Sequence, residues 1–174
     1  MNRRCAKSLV SLILLLAALP AQATGGYADM WKDPSVDLFV PMWTWHNRSA
    51  YDADKIQDYT EYPLGAGLGV SSRSGDESRH AYLLVFQDSH ADYQGTWGYA
   101  WERMLAGEDG GFKFSAGWTL SVHHRRQYNY FPIPLPLPLV GAGYEKVSVQ
   151  ATYVPGWRNM GNVLFMWARV NFGE

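Results

Sequence analysis

Three side chains able to do acid–base and nucleophilic chemistry stand where oily segments end. His46 lies at the end of VDLFVPMWTWHN, residues 36–47, while Asp88 and Ser89 end the oily run of AYLLVFQDSH, residues 81–90. An imidazole can take a proton from a hydroxyl, a serine can serve as nucleophile or proton relay, and a carboxylate can fix the imidazole's tautomer. Together they could move an acyl group. Polar residues also occur wherever a strand leaves a bilayer, so the spacing by itself leaves both readings open. The fold must bring the three together for the chemical reading to hold.

The elements that would do so show a period of two. Residues 112–123 set Phe112, Phe114, Ala116, Trp118, Leu120 and Val122 against Lys113, Ser115, Gly117, Thr119, Ser121 and His123. Residues 64–70 set Leu64, Ala66, Leu68 and Val70 against Gly65, Gly67 and Gly69. Such alternation marks strands with two unlike faces. With 36–47, 80–89, 96–105, 147–153, 164–172 and a proline-interrupted piece near 138–144, eight strands are expected. Their lengths suit tilted strands crossing a bilayer. An all-β fold follows, an eight-stranded antiparallel up-and-down transmembrane β-barrel, because closure leaves no unpaired ladder edge in hydrocarbon. A soluble lipocalin-like barrel would instead turn its apolar face inward. SRSGDES and AGEDGG read as short turns, and 51–62 and 123–137 as long loops. With a start on the inner side, the first and third strands end on one rim, which brings His46, Asp88 and Ser89 to the same edge.

Arg3, Arg4 and Lys7 precede an apolar stretch, Leu9–Leu19, and the small-residue site Ala21-Gln22-Ala23. Residues 1–23 read as a cleaved secretory signal, the apolar run being shorter than the ~20 residues of a membrane anchor. Residues 24–174 are then one barrel domain that opens with a short segment, at most a short helix or turn. Loss of the three basic residues moves the formal charge from −1 to −4, so no nucleic-acid partner is expected. Cys5, the sole cysteine, leaves with the signal, and with it any disulfide, thiol nucleophile or zinc–thiolate site. No cofactor or metal is expected, since His80 and His90 lack the partners of a defined site. The 8 Trp, 11 Tyr and 7 Phe suit the aromatic girdles of a membrane barrel. The GAGLG glycines alternate strictly with apolar residues and open no helix, so they make room inside the barrel rather than cradle a phosphate.

VPMWTWH (40–46), YPLGAGLG (62–69), FQDS (86–89), GYAWE (98–102), NYFPIPLPLPL (129–139), TYVPG (152–156) and GNVLFMWAR (161–169) run through most of the chain. In wording, order and spacing they resemble the outer-membrane lipid A palmitoyltransferases, the PagP family. The resemblance implies an eight-stranded barrel with an apolar interior pocket for one acyl chain. It implies transfer of an acyl chain, palmitoyl or slightly shorter, from a glycerophospholipid donor to a lipid A acceptor by a monomer in the outer membrane. It places the catalytic roles on His46, Asp88 and Ser89, with His46 activating the accepting hydroxyl or Ser89 and Asp88 orienting it. Ala100 stands at the family's pocket-floor glycine, where an added methyl should shorten the pocket. Proline lacks the ladder N–H, and the family pattern puts Pro41 with Pro63, and Pro138 with Pro155, beside two lateral lipid entrances. His123, His124, Arg125 and Arg126 either attract lipid A phosphates or form a solvated loop. The family's amphipathic N-terminal helix is reduced to GYADMWKDPS, with Tyr27, Met30 and Trp31 as anchors. Two other classes stay open: a non-catalytic barrel with a filled interior, and a lipid hydrolase in which water replaces lipid A.

Overall fold

A computed structural model describes residues 33–108 and 110–173, so the signal segment and the anchors Tyr27, Met30 and Trp31 lie outside the described residues. Eight strands close on themselves in sequence order: β1 (Ser35–His46), β2 (Gly65–Ser74), β3 (Glu77–Gln87), β4 (Tyr93–Gly107), β5 (Phe112–His124), β6 (Ile133–Tyr144), β7 (Val147–Val154) and β8 (Val163–Asn171). Every neighbouring pair is antiparallel, and β1 meets β8 to complete the ring. The expected up-and-down barrel is the observed one. A four-residue helix, α1 (Ala53–Ile56), and a 3-10 turn at Arg126–Tyr128 sit in the loops.

Short connections gather at one rim and long ones at the other. Gly75-Asp76 joins β2 to β3 as a two-residue hairpin, with Gly75 at φ +58° supplying the left-handed backbone such a turn needs. The opposite rim carries the segments 47–64, 88–92, 125–132 and 155–162. Its turns hold each other: Asp52 pairs with Arg158 and accepts a hydrogen bond from Asn159 Nδ2 at 2.7 Å. Tyr51 Oη donates to the Gly161 carbonyl at 2.5 Å. The first long loop is thereby strapped to the last.

Side chains follow the period of two. Leu68, Leu83, Val85, Trp97, Phe112, Phe114, Leu120 and Val140 all point outward and are exposed, while polar and charged side chains outnumber apolar ones among the buried residues. This is the inside-out distribution of a barrel solvated by lipid, the reverse of a soluble barrel. The inward glycines of β2 leave room for large neighbours. A Cβ at Gly67 would stand 2.7 Å from Leu84 Cγ, and one at Gly69 would stand 2.7 Å from Phe39 Cε2. Phe39, Leu84, Phe86, Ala100, Leu139 and Trp167 form the apolar core.

The sequence reading of 123–137 as a loop is corrected. β6 starts at Ile133 and pairs with β5 from Ile133↔His123 to Tyr144↔Phe112, so Pro134, Pro136 and Pro138 lie within a strand. The strand tolerates them because it pairs on only one side there. Its ladder to β7 runs no further than Leu139↔Thr152. Residues of an antiparallel strand turn N–H and C=O to the same neighbour, and the Pro138 carbonyl accepts from Thr152 Oγ1 on β7 at 2.7 Å. The missing proline donors therefore face the unpaired β7 side, where they cost no ladder bond.

Candidate functional site: a serine–histidine pair above an acyl-sized cavity

β1 and β3 run the same way and end at the long-loop rim, where the last residue of β1 meets the turn that follows β3. Ser89 Oγ lies 2.9 Å from His46 Nε2, and both residues are buried. Two rings pack on the imidazole: Tyr51 edge-on with centroids 5.4 Å apart, and Tyr59 tilted at 5.0 Å. Tyr59 in turn meets His90 edge-on at 4.9 Å. These contacts fix the ring plane, which a reaction that aims one nitrogen requires.

Asp88 does not sit behind the imidazole. Its Oδ1 accepts the backbone N–H groups of His90 at 2.9 Å and Asp92 at 3.1 Å, and its Oδ2 accepts from Arg125 Nη2 at 3.0 Å. It shapes the turn that carries Ser89 and anchors the loop after β5. The carboxylate facing His46 Nδ1 is Glu61, with Oε1 at 3.5 Å. Glu61 Oε1 also accepts the His46 backbone N–H at 3.3 Å and pairs with Arg48 Nη2 at 2.8 Å. The two ring nitrogens thus face unlike groups, Nδ1 the Glu61 carboxylate without a hydrogen bond between them and Nε2 the Ser89 hydroxyl.

The basic cluster straddles the end of β5, with His123 and His124 in the strand and not in a loop; Arg125 is committed to Asp88, and Arg126 pairs with Asp92 at 2.9 Å. His123 lies on the inner wall between Thr96 Oγ1 at 3.0 Å and Ser121 Oγ at 2.9 Å, and His124 Nε2 accepts from the indole of Trp97 at 3.1 Å. The cluster is thus neither a free cationic patch nor a merely solvated loop.

Beneath His46 and Ser89 a cavity of about 390 Å³ runs into the barrel, lined on its apolar side by Leu84, Phe86, Leu135, Leu137, Phe165 and Trp167. That volume falls in the range of pre-formed small-molecule pockets. Its floor follows from one glycine. Down the inner row of β4 come Gln94, Thr96, Gly98, Ala100 and Glu102, and a Cβ at Gly98 would stand 2.7 Å from Tyr82 Oη. The Tyr82 ring occupies the space over Gly98, and its hydroxyl is 2.6 Å from Thr119 Oγ1. The cavity stops at this pair, and Ala100 lies one inward position lower, in the packed core.

Two breaks in the ladder flank the cavity. β1 pairs with β2 only from Ser35↔Ser71 to Phe39↔Gly67, and Pro41 follows at a register shift against β8, with Pro63 buried just before β2. The second break lies between the proline half of β6 and the segment beyond β7 that starts at Pro155. Each predicted proline therefore stands at or next to a break.

Sequence reasoning missed Glu61 and Tyr82, and it named Arg125 only as part of a basic cluster, not as the partner of Asp88. Glu61 arrives through a loop with no periodic signal, and Tyr82 reads as one more apolar residue of a strand oily on both faces.

Comparison with known proteins agrees with this architecture. Residues 27–169 match the family described as antimicrobial peptide resistance and lipid A acylation protein PagP. The chain is 43% identical over 152 residues to the lipid A acyltransferase PagP of Serratia proteamaculans, covering 86% of this chain and 77% of that one. It is 44% identical over 144 residues to that of Yersinia enterocolitica, covering 82% and 71% of the two chains. For that of Proteus mirabilis the identity is 47% over 142 residues, covering 80% and 67%.

Proposed function

Since the chain belongs to the PagP family of lipid A acylation proteins and transfers an acyl chain to lipid A, we propose that its donor is a glycerophospholipid and that Ser89 and His46 carry the chain across. The observation that supports this is the 2.9 Å contact between Ser89 Oγ and His46 Nε2 at the mouth of a closed-ended, largely apolar cavity. A nucleophile within hydrogen-bond reach of a base, with a third group behind the base, is the arrangement that activates a hydroxyl. The donor's acyl tail fills the cavity and sets its ester carbonyl beside Ser89.

The first step forms a bond from Ser89 Oγ to the carbonyl carbon while the Ser89 proton passes to His46 Nε2. Collapse of the tetrahedral intermediate breaks the ester bond, and the lysophospholipid oxygen leaves with that proton. The lipid A hydroxyl then attacks acyl-Ser89, gives its proton to Nε2, and Ser89 regains it as the new ester forms. Glu61 stabilises the imidazolium that exists between the transfers, and Asp88 positions the turn that holds Ser89. The protein works as a monomer in an outer membrane, with the long-loop rim outward. Lipids reach the interior through the two proline-bordered breaks.

The test is mass spectrometry of lipid A after incubation of the refolded barrel with a defined phospholipid. A gain of one acyl chain, together with an acylated protein species when lipid A is withheld, is the expected result. Free fatty acid without lipid A gain would indicate a hydrolase, and no lipid change from a folded barrel would indicate a non-catalytic one.

Two further outcomes follow from the same geometry. Glu61→Gln keeps the shape and removes the charge, so kcat should fall about tenfold with KM nearly unchanged, because the lost interaction strengthens only as the imidazolium forms. Equal loss in KM would make Glu61 a binding group instead. For chain length, Tyr82→Ala should shift the transferred chains towards greater length by opening the floor over Gly98, while Ala100→Gly should leave the main product unchanged. A longer product from Ala100→Gly alone would move the floor back to that residue.

A further inference from the structure

The outer wall carries a charged cluster that a lipid-facing surface does not call for. On β3 the outward residues Val85, Leu83 and Ala81 give way to Arg79 and Glu77, and on β4 Trp97 and Tyr99 give way to Trp101 and Arg103. Ser78, Glu102 and Met104, their neighbours in the chain, line the interior, so these four point out. The ladder sets Arg79 opposite Trp101 and Glu77 opposite Arg103, on the short-turn half of the barrel and far from Ser89. The wall is again apolar beyond them: Leu105 follows on β4 and Phe114 stands on β5, both outward and exposed. Arg103 therefore lies inside the lipid-facing belt, near its short-turn edge.

The charges of the cluster do not cancel. Glu77 Oε2 accepts from Arg79 Nη2 at 3.0 Å and from the Trp101 indole at 3.3 Å. Arg79 lies flat against the wall, 6% exposed, and its charge is matched to Glu77. Arg103 is exposed and has no ion pair among the described residues, although Glu77 stands across from it. A cation held among apolar side chains at a membrane surface is stabilised by an anion beside it. A phosphodiester brings one negative charge, and its oxygens suit the guanidinium fork.

The rest of the headgroup is narrowed by Glu77. Its side chain is 31% exposed, and Oε1 has no hydrogen-bond partner among the described residues, so it can accept from a hydroxyl. An amine headgroup would set a further cation beside Arg103, where the nearby carboxylate is already matched to Arg79. We propose that Arg103, with Glu77 beside it, holds the headgroup of one anionic glycerophospholipid of the phosphoglycerol type against the outer wall of β3 and β4, in the leaflet on the short-turn side. Its chains lie along Trp101, Tyr99 and Leu83. The inference rests on the reading of the barrel as membrane-spanning and is independent of the chemistry at Ser89.

The experiment offers the full-length refolded barrel, in detergent, equal amounts of phosphatidylglycerol and phosphatidylethanolamine with identical ether-linked chains, which cannot be transferred. Native mass spectrometry reads which lipid stays bound. The phosphatidylglycerol adduct should exceed the other about fivefold, the scale of one basic side chain meeting an anionic lipid. Arg103→Gln should bring the ratio close to one while acyl transfer to lipid A, measured separately, is unchanged. A ratio of one or less in the unaltered barrel overturns the proposal. So does a preference that survives Arg103→Gln, which would place the bound lipid elsewhere, as in the cavity below Ser89. Loss of the preference in Arg103→Gln supports the site even if the barrel transfers no acyl chain, in which case the transfer reading alone fails.

Discussion

His46→Ala lowers acyl transfer to lipid A by at least about a hundredfold, the usual scale of a general base. The imidazole takes a proton in each half of the reaction, so its loss leaves Ser89 a neutral hydroxyl with no acceptor within reach. Ser89→Ala should do at least as much damage, since it removes the atom that carries the chain. Because the two act as a unit, the double variant should be no worse than the more damaged single one. The acylated protein formed without lipid A should vanish in all three. Near-ultraviolet circular dichroism separates this from misfolding, because the Tyr99 and Trp118 rings, 5.7 Å apart on β4 and β5 and away from the site, should report a retained barrel. A Ser89→Ala protein that still transfers at near the original rate would remove the covalent intermediate and leave His46 acting directly on the lipid A hydroxyl. A His46→Ala protein that does so would remove the site altogether.

Much of this arrangement was legible in the residues, for a physical reason. A barrel wall separates lipid from interior, so each strand must alternate, and Phe112, Phe114 and Leu120 outward against Thr119 and Ser121 inward could be read by counting. The parity of strands then placed His46 and Ser89 on one rim. What escaped is what does not alternate. Pro134, Pro136 and Pro138 read as a loop because a proline run is normally incompatible with a ladder. The barrel admits it by leaving one edge of β6 unpaired. Asp88 looked like the natural partner of the imidazole because it adjoins Ser89, but its carboxylate is taken by two backbone N–H groups and Arg125. Glu61 reaches His46 from the far end of the long loop after β1. The floor was assigned to Ala100 by position, yet the bare backbone of Gly98 admits the Tyr82 ring one step higher.

Removing Arg169 should cost the barrel about 3–5 kcal/mol, the usual result of stripping one partner from a buried ion pair. Asp37 on β1 is fully buried, and the Arg169 guanidinium on β8 approaches it with Nε 3.0 Å from Oδ1. Arg169 also donates to Ser71 on β2 at 2.9 Å, while Asn171 donates to Asp37 at 2.8 Å. The network continues across the interior: His80 lies 3.5 Å from Glu102, Ser115 donates to Glu102 at 2.6 Å, and Gln150 joins Glu102 to the indole of Trp167. Charged groups can stand there because each is met from several strands, and they tie the first strand to the last where the ring closes. Arg169→Met leaves the buried Asp37 carboxylate with Asn171, and with His80 3.9 Å away, in place of the guanidinium. Urea unfolding of the refolded barrel in detergent should show the loss as a lower midpoint at unchanged slope. Adding Asp37→Leu should restore a large part of it, because the charge left behind, and not the absent contact, carries most of the penalty. A double variant no more stable than Arg169→Met would mean that the stranded carboxylate is not what weakens the barrel. The cost would then lie with the lost bonds to Ser71 and with the void left at the β1–β8 seam.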